Sequence, residues 1–339
     1  MIEAKEFKIN DVISEVHSVK YGVPQGSYAG PIIFLGYLTS LYDIFERHFP
    51  HVRVGGYADD HQLYLSYTPG VKNNENEMII KFGKCIEEVR TWMLTHRLKI
   101  NDSKTECMFI GTQQQLHKVE LNEINVGHSV IKPTKVVRNL GVLFDQQMTM
   151  ADHVKNISRK GFAQLKRIRQ IRSYLDQSSA ENIVHAFVTS NIDYCNALLF
   201  GAPKHVIQNL QRLQNATARV ICGLRKYDHI TEALRTLHWL PVAYRIKYKI
   251  AILAYKCIYN QAPDYLNNMV EVYHPSRSLR SSNRLYLKQQ HSKTKTLGPR
   301  AFSHAAPAVW NDLPDDIRLS NNFNTFKSKL KTHYFRQAF

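Results

Sequence analysis

The sequence predicts an α+β fold for its first 148 or so residues, followed by a helical region and a basic C-terminal region. Three observations predict this. Apolar and polar residues alternate over "FKINDVISEVHSVKY" (7–21) and on both sides of Asp59-Asp60. Apolar residues recur at helical spacing after Pro31 and again between Ile79 and Met93. Beyond Asp152 the alternation gives way to long amphipathic helical patterns.

The elements follow in order. After the extended 7–21 stretch comes "GVPQGSYAGP", dense in Gly and Pro, where Pro31 suits the first turn of a helix running through "IIFLGYLTSLYDIFERHF". "VGGYADDHQLYLSY" (54–67) reads as a strand pair that turns at Asp59-Asp60. The polar loop "TPGVKNNENE" leads to a helix with Ile79, Phe82, Ile86, Val89 and Met93 on one stripe. "RLKINDSKTECMFIGT" reads strand, turn, strand, and "SVIKPTKVVRNLGVLFD" reads as a second strand pair, with Leu140, Val142 and Phe144 expected in the core. From 149 to 270 the chain reads as helices. The first is very basic, the second places Val206, Leu210, Leu213, Thr217 and Val220 on one face, and a third covers "AYRIKYKIAILAYKCIY". From Val272 to Asn311 there is no Asp or Glu, while Arg277, Arg280, Arg284, Lys288, Lys293, Lys295 and Arg300 are interleaved with Tyr273, Tyr286, Phe302 and Trp310.

The 339 residues suffice for two or three domains, and a 44% hydrophobic share is that of a globular protein. With 45 Lys+Arg against 28 Asp+Glu the net charge is +17, which points to a polyanionic partner. No apolar run approaches the roughly 20 residues of a membrane span, and "MIEAKEFKIND" lacks the apolar core of a signal peptide, so a nuclear or cytoplasmic protein, neither secreted nor bound to membrane, is expected. The five cysteines are scattered without a C-x-x-C pair. His185 near Cys195 and His229 near Cys222 have the wrong spacing for a metal knuckle.

An adjacent carboxylate pair at a hairpin repels itself unless a cation sits between, and carboxylates shared by two divalent ions about 3.5–4 Å apart are the means of nucleotidyl transfer. Alone, Asp59-Asp60 is most often a solvated turn. Here it stands between "GVPQGSYAGPIIF" and "LKINDSKTECMFIG". Further on come "VRNLGVLFD", "SNIDYCNALLFG", "LQNATARVICG", "HITEALRTLHWLPVAYRI", "PSRSLRS" and "WNDLPDDIR". This ordered set resembles the C-terminal part of the reverse transcriptase of a LINE-type (non-LTR) retrotransposon, of the Jockey-like and chicken-repeat branch.

The resemblance implies a partial polymerase palm of the right-hand fold (1–148), a helical thumb (149–270) and a basic C-terminal region (271–339). Asp59 would be the principal and Asp60 the secondary ligand of Mg²⁺, two ions in the intact family, with Tyr57 near the primer end. Gly22, Pro24, Gln25, Gly26 and Ser27 would form the loop that meets the templating base and incoming nucleotide. Lys104 would stand near the leaving pyrophosphate as a general acid or point charge. Leu140 and Gly141 would grip the primer. The implied partners are an RNA template and DNA primer, or an RNA/DNA hybrid. Lys155, Arg159, Lys166 and Arg169, at helical spacing, together with Arg277, Arg280 and Arg284, would hold the nucleic-acid backbone. One departure bears on activity. The family's first catalytic aspartate belongs to a motif well upstream of "GVPQG", and Asp11 in "KINDV" does not match it. The 339 residues are therefore expected to bind Mg²⁺ weakly or incompletely and to be inactive alone, as a fragment or a non-catalytic nucleic-acid-binding remnant.

Overall fold

The structure is a computed structural model that describes all residues except 1–2, 6–7, 10–11, 14–16, 20–21, 23–25, 127–128, 276–283 and 293. The chain divides into two compact units, Met1–Lys135 and Val136–Phe339.

The first unit mixes short hairpins with helices. β1 (Glu3–Lys5) pairs with β4 (His17–Val19), enclosing the pair β2 (Lys8–Ile9) and β3 (Val12–Ile13), all antiparallel. α1 (Gly30–His48) starts with Pro31 in its first turn, where a missing N–H costs nothing. β5 (Arg53–Tyr57) and β6 (Asp60–Tyr64) form the acidic hairpin, and α2 (Lys72–Thr95) follows. Leu38, Leu41 and Phe45 of α1 close a core with Cys85, Val89 and Trp92 of α2, and Val54 and Leu63 of the hairpin pack on it. "RLKINDSKTECMFIGT" does not form the two expected strands. It holds a single 3₁₀ turn, Asp102–Lys104, between irregular segments. An extended run becomes a strand only with a ladder partner; the Cys107 carbonyl instead accepts Thr134 N–H at 2.8 Å, outside any ladder. After α3 (Gln113–Leu116), β7 (Ile124–Val126) pairs with β8 (Ser129–Ile131), so the stretch around Ser129 belongs to a hairpin of its own.

The second unit opens with β9 (Val136–Asn139) and β10 (Val142–Asp145), a hairpin that the sequence assigns to the first region. It belongs here because β10 is built into the next helix, α4 (Ala151–Ile171). The Asp145 carboxylate accepts N–H groups from Gln147 (3.2 Å), Thr149 (2.9 Å) and Met150 (2.6 Å), satisfying donors that a helix start leaves open. Buried His153 accepts the Leu143 N–H on Nδ1 at 3.3 Å. Val142 is buried and Phe144 half-buried as expected. Leu140 is 41% exposed, because it occupies the two-residue turn with Gly141.

α5 (Gln177–Val184) runs through a π-helical turn, His185–Thr189, into α6 (Ser190–Asp193). α7 (Lys204–Cys222) packs on α4 with Val206, Leu210, Leu213, Thr217 and Val220 all buried, the face read from the sequence. A Cβ at Gly161 would lie 2.5 Å from Leu213 Cδ2, so hydrogen alone fits where the two helices cross. α8 (Ile230–Thr236) leads to α9 (Val242–Ile258), which packs against α7 and also against α11 (Phe302–Asn311) and α13 (Phe323–Ala338). Between them lie the single turns α10 (Asp264–Asn267) and α12 (Asp315–Arg318). Tyr255 of α9 stacks with Phe326 at 4.5 Å between ring centres and donates to Asn321 O at 3.0 Å.

Burial lowers the pKa of His153 below its ordinary 6.5. The unfolded chain then takes up a proton below about pH 6.5 that the folded chain takes up only at lower pH, so His153 contributes stability that is lost as pH falls through that window. Denaturant unfolding is expected to give a lower stability near pH 5 than near pH 7. His153→Asn, which keeps an acceptor for Leu143 N–H, should reduce that difference.

Candidate functional site

The acidic hairpin is a two-residue loop. Tyr57 faces Asp60 across the ladder, so Ala58 and Asp59 form the turn and Asp60 opens β6. The expected turn at Asp59-Asp60 is thus shifted back by one residue. Hairpin turns of this length need positive φ, and Ala58 supplies it at φ 54°, a conformation that costs a non-glycine residue about 1–2 kcal/mol. Strand alternation sends Val54 and Leu63 to the core, and leaves Tyr57 and Asp60 on the outward face. Asp59 and Asp60 are both exposed, and Tyr57 is 68% exposed.

The inward face is fixed by α1. His61 meets the Tyr42 ring edge-on, with centres 6.1 Å apart, and a Cβ at Gly56 would collide with the Tyr42 hydroxyl. Burial pulls the His61 pKa down, against the upward pull of Asp59 and Asp60. Its neutral ring is therefore a wall behind the carboxylates and does not neutralise them. Among the described residues no group of three or more His, Cys, Asp or Glu is placed to hold a metal ion. Two carboxylates at the tip are too few oxygen donors for two divalent ions.

The other predicted residues are placed as follows. Pro24 and Gln25 lie outside the described residues. Gly22 (φ 98°) and Gly26 (φ 88°) take left-handed conformations, with open space where a Cβ would point. Ser27 offers its carbonyl to Gly30 N–H at 3.2 Å and so starts α1. Lys104 is exposed in the Asp102–Lys104 turn, with no ion pair among the described residues. The turn itself is held by Asp102, whose carboxylate takes Arg90 Nη2 at 2.7 Å and Ser129 Oγ at 3.3 Å; the Arg90 hydrogen bond above all lowers its pKa.

In the second unit, Leu140 (φ 44°) and Gly141 (φ 84°) form the tip of the β9–β10 hairpin, and Tyr194 donates its hydroxyl to Leu140 O at 2.6 Å. Lys155, Arg159, Lys166 and Arg169 stand exposed on α4, joined by Lys160 and Arg167, and none forms an ion pair among the described residues. Arg277 and Arg280 lie outside the described residues. The sequence suggests that Arg284 is a free cation in an acid-free stretch. It pairs instead with Asp315 at 3.4 Å, and Lys288 pairs with Glu271 at 2.9 Å. Two cations of the acid-free stretch are thus paired with acids from outside it.

A family model described as "Reverse transcriptase (RNA-dependent DNA polymerase)" matches residues 2–144, a span that contains the Asp59-Asp60 hairpin. The probable RNA-directed DNA polymerase from transposon X-element of Drosophila melanogaster is 25% identical over 243 residues, 70% of this chain and 26% of that protein. The chain is related to the reverse transcriptases of non-LTR retrotransposons. The retrovirus-related Pol polyprotein from type-1 retrotransposable element R1 of Nasonia vitripennis is 22% identical over 236 residues, 65% of each chain. The RNA-directed DNA polymerase from mobile element jockey of Drosophila funebris is 21% identical over 223 residues, 63% of this chain and 23% of that protein. The chain thus spans about a quarter of the X-element and jockey reverse transcriptases. No helix among the described residues is long and apolar enough to cross a membrane.

Periodicity and motif spacing do not single out Tyr42, Gly56, His61 and Asp102, which place the acidic hairpin and the lysine turn. Gly55-Gly56 directly before Tyr57 was a usable signal, since two glycines inside a strand mark a close approach by another group. Gly56→Ala should destabilise the first unit by about 1–3 kcal/mol through the clash with Tyr42. Ala58→Gly should relieve the turn and stabilise it by roughly 0.5–1 kcal/mol. Thermal unfolding and hydrogen exchange of the β6 amides would register opposite shifts for the two variants.

Proposed function

We propose that the chain is a nucleic-acid-binding part of a retrotransposon RNA-directed DNA polymerase, comprising part of its palm, its thumb and a basic C-terminal region. The observation that carries this reading is the exposed Asp59-Asp60 hairpin, set within the reverse transcriptase match. In this reading Asp59 and Asp60 face the primer end beside Tyr57, and Gly22 to Ser27 border the incoming nucleotide. Lys104 is a point charge for pyrophosphate, and the Leu140-Gly141 tip touches the primer strand. The partner is a template–primer duplex, RNA with DNA.

Mg²⁺ is the ion the resemblance implies. The two carboxylates would hold at most one ion weakly, so these 339 residues by themselves bind nucleic acid and do not synthesise DNA. What supports this is the lack of a third acidic group beside the pair among the described residues. A primer-extension assay on a primed RNA template with Mg²⁺ is expected to give no product. Extension abolished by Asp59→Ala would overturn the expectation and require a further carboxylate.

Binding is assigned first to α4. Every cation removed from a phosphate should lower the log–log salt slope of binding to duplex DNA by about 0.9. Replacing Lys155, Arg159, Lys166 and Arg169 with alanine should therefore lower it by about 3–4 and weaken all sequences alike. An unchanged slope in a folded variant would remove α4 from the interface.

A further inference from the structure

Two aromatic side chains of the second unit stand almost wholly in solvent, Tyr174 at 86% and Tyr227 at 87% exposure. They are far apart in sequence, yet both spring from segments bonded to the last turn of α7. On one side Arg172 donates from Nε to Val220 O (3.0 Å) and from Nη2 to Ile221 O (2.7 Å), while Nη1 holds Leu175 O at 2.7 Å. The turn that carries Tyr174 is thereby fixed across the end of α7. On the other side Gly223 (φ 67°) reverses the chain. Leu224 N–H then bonds to Arg219 O at 2.9 Å and Arg219 Nη2 to Asp228 O at 3.1 Å, which folds the loop of Tyr227 back on the same turn.

The charge around the two rings is positive. Arg169 stands in the last turn of α4, and Arg225 and Lys226 precede Tyr227; all three are exposed, and none has an ion pair among the described residues. Lys226 Nζ lies 5.3 Å from the centre of the Tyr227 ring. The acids of these segments are engaged locally. Asp176 accepts Ser179 N–H at 2.7 Å, Asp228 accepts Arg225 N–H at 2.6 Å, and Glu181 accepts Gln177 Nε2 at 3.0 Å. Arg172 satisfies the Val220 and Ile221 carbonyls, so the surface offers a ligand flat aromatic faces and cations, with the Asp176 and Asp228 carboxylates turned to backbone N–H groups.

We propose that the end of α7 is a binding site for unpaired nucleotides of single-stranded RNA or DNA. Bases stack on Tyr174 and Tyr227, and the phosphates between them meet Arg169, Arg225 and Lys226. Stacking on exposed aromatics beside a basic track is how single strands are held without regard to sequence. The site extends the duplex surface assigned to α4 and rests on that reading. It gives this unit a hold on a strand that has left, or not yet entered, the duplex.

The test compares the full chain with Tyr174→Ala/Tyr227→Ala and with Tyr174→Phe/Tyr227→Phe, by fluorescence anisotropy at fixed salt. The probes are an oligo(dT) strand of about twenty nucleotides, the same backbone with abasic residues, and a DNA duplex. The alanine pair is expected to bind oligo(dT) about ten- to a hundredfold more weakly. It should bind the abasic strand and the duplex within about twofold of the parent, because the variant removes stacking and leaves the cations that meet phosphate. The phenylalanine pair should keep oligo(dT) affinity. The proposal falls if the alanine pair binds oligo(dT) like the parent, or if its affinity for the abasic strand drops equally. If the duplex still binds with a salt slope that depends on α4, that failure leaves the proposed function standing. If the parent chain binds none of the three probes, both readings fall.

Discussion

The packing of α4 on α7 is the contact on which the second unit depends. α4 carries six cations and a single acid, Asp152, and neighbouring like charges on a helix repel by a few tenths of a kcal/mol per pair. Against this, Val154, Ile157, Leu165 and Ile168 are all buried, each contributing on the order of 1.5–3 kcal/mol. Burial wins by a wide margin, and it also dictates orientation. With the apolar stripe against α7 and Gly161 allowing the close crossing over Leu213, the cations have only the solvent side left. The basic surface is thus the other side of the core contact.

Polar pins then hold segments that hydrophobic contact alone would leave loose. Asp145 ties the β9–β10 hairpin to the start of α4. Arg300, its own charge disfavoured by burial, donates to Phe200 O and to Met148 O. Asn311 receives Leu287 N–H at 2.9 Å and donates to Leu287 O at 2.8 Å, so one side-chain amide pairs with a backbone as a strand would. Trp310 donates to Leu285 O at 2.8 Å, and Arg318, only 2% exposed, lies under the Tyr286 ring. The "WNDLPDDIR" motif therefore acts as a clasp for residues 284–288.

Much of this was legible in the sequence. The α1, α2, α4, α7 and α9 helices, the acidic hairpin and the buried face of α7 follow from periodicity, because a helix or strand with one buried side repeats its apolar residues at a fixed spacing. What was illegible depended on partners. "RLKINDSKTECMFIGT" alternates like a strand, yet without a neighbour to pair with it stays irregular. The turn of the acidic hairpin falls one residue earlier than expected, because Ala58 bears a strain that would ordinarily fall to glycine. Arg284 looked free because its counter-charge, Asp315, lies 31 positions away in the chain. Alternation alone groups the hairpin that carries Leu140 with the strands before it, since nothing local reveals that Asp145 and His153 bind it to a helix.

The position of α9 has a consequence for how the chain is made. Its apolar residues are covered on one side by α7, already synthesised, and on the other by α11 and α13, which begin at Phe302 and Phe323. At a synthesis rate of roughly 5–20 residues per second, the Tyr255 face of α9 waits several seconds, about 3 to 15, for Phe326 to emerge. During that interval a nascent chain shows the ribosome's surroundings a half-built core rich in tyrosine and aliphatic side chains. The helix that finally unites the second unit is thus also a stretch on which a chaperone has seconds to act.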